Sequence, residues 1–170
     1  MRLAEVEEFI ESLFETRRND CFDRESGVTA RGAEEIKTVG YCTNLTLDTV
    51  GEAIRNGVDL MVTHHDAWDG MFGLKDACRA RLLEAGISHY FNHLPLDDCD
   101  FGTNNSLAEK LGLRILEKSH LEDGFYCGRI AEFSEATTLE ELAGRLELIL
   151  EEPVQAWEFR GGPMRRVGLV

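Results

Sequence analysis

Residues 59–66 read DLMVTHHD, a short apolar run that ends abruptly in two adjacent histidines and an aspartate. An uninterrupted apolar run of this kind is typical of a strand that is buried on both faces of a sheet. Open α/β sheets bind their ligands at the carboxyl ends of the strands, which is where His64, His65 and Asp66 fall. The stretch therefore predicts a ligand site, and its structural alternative is a strand end with two solvated imidazoles.

A second stretch repeats the same change from apolar to polar residues. Residues 87–98 read ISHYFNHLPLDD, in which a strand-like run is followed by a histidine and, four residues later, by an aspartate. Parallel strands end at the same edge of a sheet, so we expect the two clusters to converge on one point. Imidazole and carboxylate together suit zinc, manganese or iron. The candidate metal ligands are His64, His65, His93 and Asp97.

The segments around these two strands have the spacing of a βαβ unit. A strand at residues 39–42 and a helix at 44–57 precede the first histidine strand, and a helix at 74–85 leads to the second. Short joints of this kind connect parallel strands by right-handed crossovers, which predicts a layered α/β lobe. An amphipathic helix is predicted at residues 2–16. Residues 19–35, which contain two glycines, are predicted to form a surface loop.

The pattern changes after residue 112, where strands replace the alternation of strands and helices. Strands are predicted at residues 113–119, 124–133 and 153–159, with a helix before the last of them. The final apolar run would leave its backbone groups unmatched if it stood alone, so we expect it to be poorly ordered or paired at a sheet edge. The domain organisation that follows is a metal-binding α/β lobe (1–112), a smaller α+β insert (113–162) and the first strand of a second lobe (163–170).

The composition of the chain limits its classes of partner and its location. A formal net charge of −14 over 170 residues disfavours non-specific nucleic-acid binding, which needs a basic surface. No apolar stretch approaches the ~20 residues of a membrane span, and the first residues form a charged amphipathic helix rather than a signal peptide. The five cysteines are scattered and odd in number, which predicts reduced thiols and a cytoplasmic protein.

Taken together, the two histidine motifs resemble those of the Nif-three-like family of dinuclear-metal hexameric proteins, which are often labelled GTP cyclohydrolase I type 2 homologues. The family's T-H-H-P strand end corresponds to residues 63–66. Its H-x-x-x-D motif and the glycine- and asparagine-containing helix start after it correspond to residues 93–97 and 102–105. The resemblance implies a three-layer α/β lobe with a mixed or parallel sheet, a toroidal homohexamer and a centre of two divalent ions. The ligands that it implies from this part of the family's site are His64, His65 and Asp97, with His93 beside them.

Departures from the family pattern bear on the site. Asn44 stands where the family usually has an aspartate, and Asp66 replaces the proline after the paired histidines. Asp66 therefore adds a carboxylate that is the candidate catalytic base, or a group supporting the metal ligands. The family also draws a histidine and a bridging glutamate from a later H-x-x-x-E motif, which this chain stops before. We expect half of a site, which binds one ion weakly, or two when another segment supplies the missing ligands. The remaining histidines, His89 and His120, are predicted to be a core residue and an exposed loop residue.

Three functions fit these observations. The first is a metal-dependent hydrolase that acts on a nucleotide or phosphate compound, with zinc, manganese or iron as the metal and an unidentified small molecule as the substrate. The second is a non-catalytic metal-binding or scaffold protein, and the third is a plain α/β domain with incidental histidines. We also expect a homo-oligomer, because Trp68, Phe72 and Trp157 are of the residue types enriched in interface cores.

Overall fold

A four-stranded mixed sheet organises the first of the two units into which the chain folds, Met1–Leu96. The computed structural model describes residues 1–15 and 22–170. The sheet has the strand order β1-β4-β3-β2, in which β2, β3 and β4 are parallel and β1 is antiparallel to β4. Its strands are β1 (Ser26–Ala30), β2 (Val39–Asn44), β3 (Leu60–His65) and β4 (Ser88–Asn92). The helices are α1 (Leu3–Leu13), α2 (Phe22–Glu25), α3 (Leu47–Arg55), α4 (Leu74–Glu84) and α5 (Leu94–Asp98), the last of which contains the boundary between the units.

Helices cover both faces of this sheet, so the unit has three layers. Met61 of β3 lies in one core with Val50 of α3 and Leu82 of α4. Leu60 lies in the other core with Leu3 of α1. Consecutive residues of β3 enter opposite cores because successive side chains of a strand point to opposite faces of the sheet. The three-layer α/β lobe with a mixed sheet that the sequence predicts is confirmed.

The prediction of a surface loop at residues 19–35 is wrong for residues 22–30, which form α2 and β1, and residues 19–21 lie outside the described residues. β1 forms because it pairs with β4, from Ser26 opposite Asn92 to Val28 opposite Tyr90. Ser26 is buried, and its hydroxyl group hydrogen-bonds the phenolic oxygen of Tyr90 at 3.0 Å. Gly27 adopts φ +146°, a conformation that favours glycine. Because polar and glycine residues form this strand, no apolar run marks it in the sequence.

A three-stranded antiparallel sheet organises the second unit, Asp97–Val170. Asp123 and Gly124, at φ +45° and +85°, form the two-residue turn between its first two strands. The last strand pairs with the middle one and lies at an edge of the sheet, which confirms the prediction of an edge strand for the final run. The strands are β5 (Arg114–Glu122), β6 (Phe125–Thr137) and β7 (Met164–Leu169), and the helices are α6 (Thr103–Leu111) and α7 (Leu139–Leu150).

The second unit differs from the sequence-based prediction at residues 153–159. Residues 153–159 form no strand, so that prediction is wrong; the backbone N–H of Val154 donates to Oε1 of Glu147 at 3.2 Å rather than to a strand. The chain divides into its two units before Asp97, so that α6 belongs to the second unit. The reason is that α6 packs on β6, where the buried Asn104 donates from Nδ2 to the backbone oxygen of Cys127 at 3.0 Å. The assignment of residues 1–112, 113–162 and 163–170 to two lobes and an insert stays a prediction.

The described residues include four of the five cysteines and no membrane-spanning helix. Within residues 1–15 and 22–170, no helix is long and apolar enough to cross a membrane. Cys21, which is also predicted to be reduced, lies outside the described residues. In the part of the chain that the structure describes, Cys42, Cys78, Cys99 and Cys127 are not joined in disulfide bonds.

Candidate metal centre

Three histidines meet at the carboxyl edge of the first unit's sheet. His64 and His65 are the last two residues of β3, and His93 directly follows β4. These strands are parallel neighbours, with Leu60 opposite Ser88, so their carboxyl ends lie side by side. One nitrogen from each of the three rings lies within 4.8 Å of the other two. The ring centroids are 4.4, 5.2 and 5.0 Å apart, so the structure brings three of the four candidate ligands together.

In each of the three imidazole rings, Nδ1 forms a hydrogen bond with an oxygen atom of the protein. The pairs are His64 with the backbone oxygen of Asn92 (3.1 Å), His65 with Oδ1 of Asn44 (2.7 Å) and His93 with Oε2 of Glu25 (2.8 Å). Because these oxygens are acceptors, Nδ1 of each ring donates, and a ring with a single N–H group carries it on Nδ1. The lone pair of all three rings is therefore on Nε2. Metal-ligating histidines commonly show this arrangement, since an oxygen held by the other ring nitrogen orients the ring.

Strand pairing places Asn44 in contact with His65. It is the last residue of β2 and lies opposite His65 in the parallel pairing of β2 with β3. Its amide oxygen can accept the Nδ1 hydrogen of His65, as an aspartate would, but it carries no charge. The departure from the family pattern at this position therefore preserves the orientation of the ring and removes a negative charge from the site.

Glu25 is a residue of the site that sequence reasoning missed. It ends α2, directly before β1, in the stretch that was predicted to be a loop. One residue beyond the pair of Ser26 and Asn92, the backbone N–H of His93 donates to the backbone oxygen of Glu25 at 2.8 Å. The carboxylate of Glu25 thereby comes within 2.8 Å of His93 Nδ1. The available signal was the pair Val28 and Thr29, which favours a strand but is too short to predict one.

His65 and His93 line a cleft of about 260 Å³ that lies within the first unit. Its walls combine charged residues of both signs, Arg24, Glu25 and Lys75, with the aromatic ring of Phe91. The ring of Trp68 also lines it, 5.7 Å from the ring of His65 between centroids. The cleft therefore offers space and mixed polarity beside the imidazoles, as a small-molecule site requires.

Asp66, the candidate base, is engaged by cationic side chains of α4. Its Oδ2 lies 3.1 Å from Lys75 Nζ and 3.4 Å from Arg79 Nη2, and its Oδ1 accepts from the backbone N–H of Ala67 at 2.8 Å. Its side chain is only 11% exposed, so both ion pairs are partly shielded from water. Both carboxylate oxygens thus have donors, and the role of Asp66 as a base or as a group supporting the ligands stays a prediction.

Asp97 begins the second unit, on α5. Its Oδ1 accepts a hydrogen bond from the hydroxyl group of Thr103 at 2.6 Å, at the first residue of α6. Its backbone oxygen accepts from Nη2 of the buried Arg129 at 3.2 Å. These contacts fix the position of Asp97 within its own unit. Its role as a metal ligand stays a prediction.

His89 is a core residue, as predicted, and it supports the histidine strand. It is fully buried, and its Nε2 lies 2.9 Å from Oγ1 of Thr63, which itself donates to the backbone oxygen of His65 at 2.7 Å. Since the Thr63 hydroxyl hydrogen is used in that way, Nε2–H of His89 donates and its Nδ1 accepts from Thr29 Oγ1 at 2.5 Å. Burial lowers the pKa of His89 to about 4, so the ring is neutral at physiological pH.

The fold and the cluster define the class of this protein, an α/β protein with a candidate metal centre built from histidines at the carboxyl edge of its sheet. The chain belongs to the Duf34/NIF3 (NGG1p interacting factor 3) family, whose sequence profile matches residues 1–170. This result confirms the family that the two histidine motifs indicate.

Similar proteins are known from other organisms. The chain is 32% identical over 151 residues to the GTP cyclohydrolase 1 type 2 homolog of Pyrococcus horikoshii, which covers 85% of this chain and 60% of that protein. The protein of the same name from Archaeoglobus fulgidus is 28% identical over 151 residues, with 86% and 61% covered. The chain thus spans about three-fifths of the length of these relatives.

Solved structures share the fold. Protein ybgI, described as of unknown function, superposes with a TM-score of 0.80 at 24% identity, over 99% of this chain and 68% of that one. Reduced HcgD from Methanocaldococcus jannaschii gives a TM-score of 0.63 at 26% identity, over 87% and 60%. The likeness to ybgI concerns the fold alone.

Proposed function

We propose that this chain binds a divalent metal ion through the Nε2 atoms of His64, His65 and His93, and that the bound ion serves a metal-dependent hydrolase reaction. The observation that carries the proposal is the hydrogen-bonding pattern that the three rings share. Each Nδ1 is committed to a protein oxygen, which leaves each ring lone pair on Nε2, and one nitrogen from each ring lies within 4.8 Å of the other two. Three incidental histidines would have no reason to share this arrangement.

The donor set fits zinc, manganese or iron. Imidazole nitrogen binds all three metals, and catalytic zinc sites commonly have three protein ligands and an open position. The three neutral imidazoles do not balance the charge of a divalent ion, but the carboxylate of Glu25 lies one hydrogen bond away from His93. We further propose that Asp97 supplies a carboxylate ligand and that a complete site holds two ions.

The bound ion would supply Lewis-acid polarisation of a carbonyl or phosphoryl oxygen. The chain's own residues would position the ligands and the substrate. Asn44 and Glu25 hold the rings of His65 and His93, and the cleft wall carries charged residues of both signs that could contact a polar substrate. The curated relatives bear the name GTP cyclohydrolase 1 type 2 homolog, so GTP and other nucleotides are the first substrates to test.

A non-catalytic metal-binding or scaffold function is the second candidate, and one observation favours it. Asp66 is the carboxylate that follows the histidines, but Lys75 and Arg79 engage it from α4. A carboxylate held by two cations is poorly placed to accept a proton from water. Under this alternative the ion is bound but no substrate is turned over.

Oligomerisation is the third part of the proposal. Trp68, Phe72 and Trp157 are 57%, 107% and 68% exposed in the single chain, and large exposed aromatic residues commonly mark protein interfaces. We propose a homo-oligomer, a toroidal hexamer by analogy with the family. Sedimentation in the presence of metal tests it, and a monomer at all concentrations would contradict it.

Metal titration combined with a hydrolase screen tests the proposed function. We expect the number of bound zinc or manganese ions per chain to fall by one in His64→Ala and in His93→Ala, and to stay unchanged in Glu84→Gln, which alters an exposed helix residue. Unchanged ion binding in both histidine variants would refute the metal centre. Ion binding without metal-dependent turnover of GTP or of other nucleotides and phosphate compounds would favour the non-catalytic alternative.

A further inference from the structure

The hairpin of β5 and β6 contains a second cluster of metal-ligating side chains, within the second unit. His120 and Glu122 are on β5, and Cys127 is on β6. One ligand atom from each of the three lies within 4.8 Å of the others. The flanking pairs, Ser119 with Gly128 and Leu121 with Tyr126, place His120 opposite Cys127. The cluster contains a sulfur donor, whereas the three-histidine cluster contains none.

The separations of these donor atoms suit a tetrahedral ion. Nε2 of His120 lies 3.6 Å from Oε2 of Glu122, and Sγ of Cys127 lies 3.7 Å from the same oxygen. Zinc bonds of about 2.1 Å to nitrogen or oxygen and about 2.3 Å to sulfur, at tetrahedral angles, require donor separations of about 3.4 and about 3.6 Å. The two separations that involve Glu122 therefore lie within a few tenths of an ångström of these values, and the third pair of donor atoms lies within 4.8 Å.

The hairpin holds the cluster in a defined shape. The two-residue turn at Asp123 and Gly124 fixes the register of the two strands. The thiol of Cys127 is buried and donates to the backbone oxygen of His120 at 3.2 Å. His120 has φ +55°, an uncommon conformation for a residue with a side chain, near the end of β5. The exposed side chains of His120 and Glu122 leave the cluster open to an ion from solution.

We propose that His120, Glu122 and Cys127 form a second metal site that takes a tetrahedral, borderline-soft divalent cation such as Zn²⁺. The ligand set is one imidazole, one carboxylate and one thiolate, and the fourth position is available to water or to another donor. Nitrogen, oxygen and sulfur donors in this combination favour zinc over magnesium or calcium. An ion there would link the two strands beside their turn and stabilise the hairpin.

Cobalt spectroscopy tests this site independently of the three-histidine centre. Co²⁺ accepts the tetrahedral geometry of zinc, and a cobalt–thiolate bond gives a near-ultraviolet charge-transfer band that histidine ligands alone do not give. We expect the purified, reduced chain to show this band, and Cys127→Ser to lose it. The matched control Cys99→Ser changes another cysteine of the same unit and should keep the band.

Two further variants complete the test. His120→Ala alters an exposed side chain, so its fold should be retained, and we expect at least about tenfold weaker cobalt binding judged by the band. The variant with His64, His65 and His93 all changed to alanine should keep the band at full strength. The proposal is overturned if the wild-type chain shows no band, if Cys127→Ser retains it, if His120→Ala leaves it unchanged, or if the triple-histidine variant loses it. Failure of the three-histidine proposal would leave the band untouched.

Discussion

The contact between Glu25 and His93 permits a quantitative test of the metal centre. The carboxylate oxygen lies 2.8 Å from Nδ1 of His93, and the Glu25 side chain is 17% exposed, so water screens this hydrogen bond weakly. A carboxylate that orients a ligating histidine typically contributes 10–100-fold to metal affinity, which corresponds to about 1.4–2.7 kcal/mol. Glu25→Gln keeps an acceptor oxygen and loses the charge, whereas Glu25→Ala loses both.

We therefore expect a graded loss of zinc affinity, about tenfold for Glu25→Gln and towards about 100-fold for Glu25→Ala. Competition with a chelating dye at constant pH measures it. The control is Glu84→Gln, which removes the same charge from an exposed position on α4.

A double-mutant cycle shows whether the effect passes through His93. In a His93→Ala background, Glu25→Ala should cost little further affinity, because the ring that it orients is gone. Equal affinity of Glu25→Ala and the Glu84→Gln control, or a full additional loss in the His93→Ala background, would refute the reasoning.

Three other perturbations have expected outcomes. Burial lowers the pKa of His89 from 6.5 to about 4, so the folded state binds fewer protons than the unfolded state between these pH values. The free energy of unfolding should therefore fall by up to about 3 kcal/mol as the pH drops from 6.5 to about 4. Denaturant unfolding of the wild type and of His89→Gln measures this difference, and parallel pH profiles would contradict it. Asn44→Asp should strengthen metal binding several-fold, because a charged acceptor replaces a neutral one at Nδ1 of His65; a loss of affinity would show that the amide is required. Arg129→Ala should destabilise the fold by about 3 kcal/mol or more, because its buried guanidinium satisfies four backbone carbonyl groups of the second unit; a change below about 0.5 kcal/mol in denaturant unfolding would show that water replaces these bonds.

The central part of the fold could be predicted because its signals are local. The apolar run before His64 and the short crossover at residues 44–57 predict parallel strands with a helix between them, and β2, α3 and β3 confirm this. The loop predicted at residues 19–35 failed because Ser26 and Gly27 form a strand only when β4 offers its edge. The strand predicted at residues 153–159 failed for the converse reason, since a strand-like composition gives no strand where no partner pairs with it.

The candidate site likewise has residues that the sequence predicts and one that it does not. The chain order alone places His64 and His65 at the end of one strand and His93 at the end of the next, since a strand that stops being apolar must leave the core. Glu25, 68 residues from His93 along the chain, became visible only through the pairing of β1 with β4.

The sequence by itself therefore determined the family, the layered α/β architecture and the residue types of the metal centre, because these follow from periodicity and from motifs a few residues long. Only the tertiary structure decided which oxygen each Nδ1 atom holds, that Asp66 is engaged by Lys75 and Arg79, and that a cysteine stands opposite His120 in the β5–β6 hairpin. These contacts join residues that are far apart in the chain or on different strands, and strand pairing and helix packing, rather than local propensity, bring such residues together.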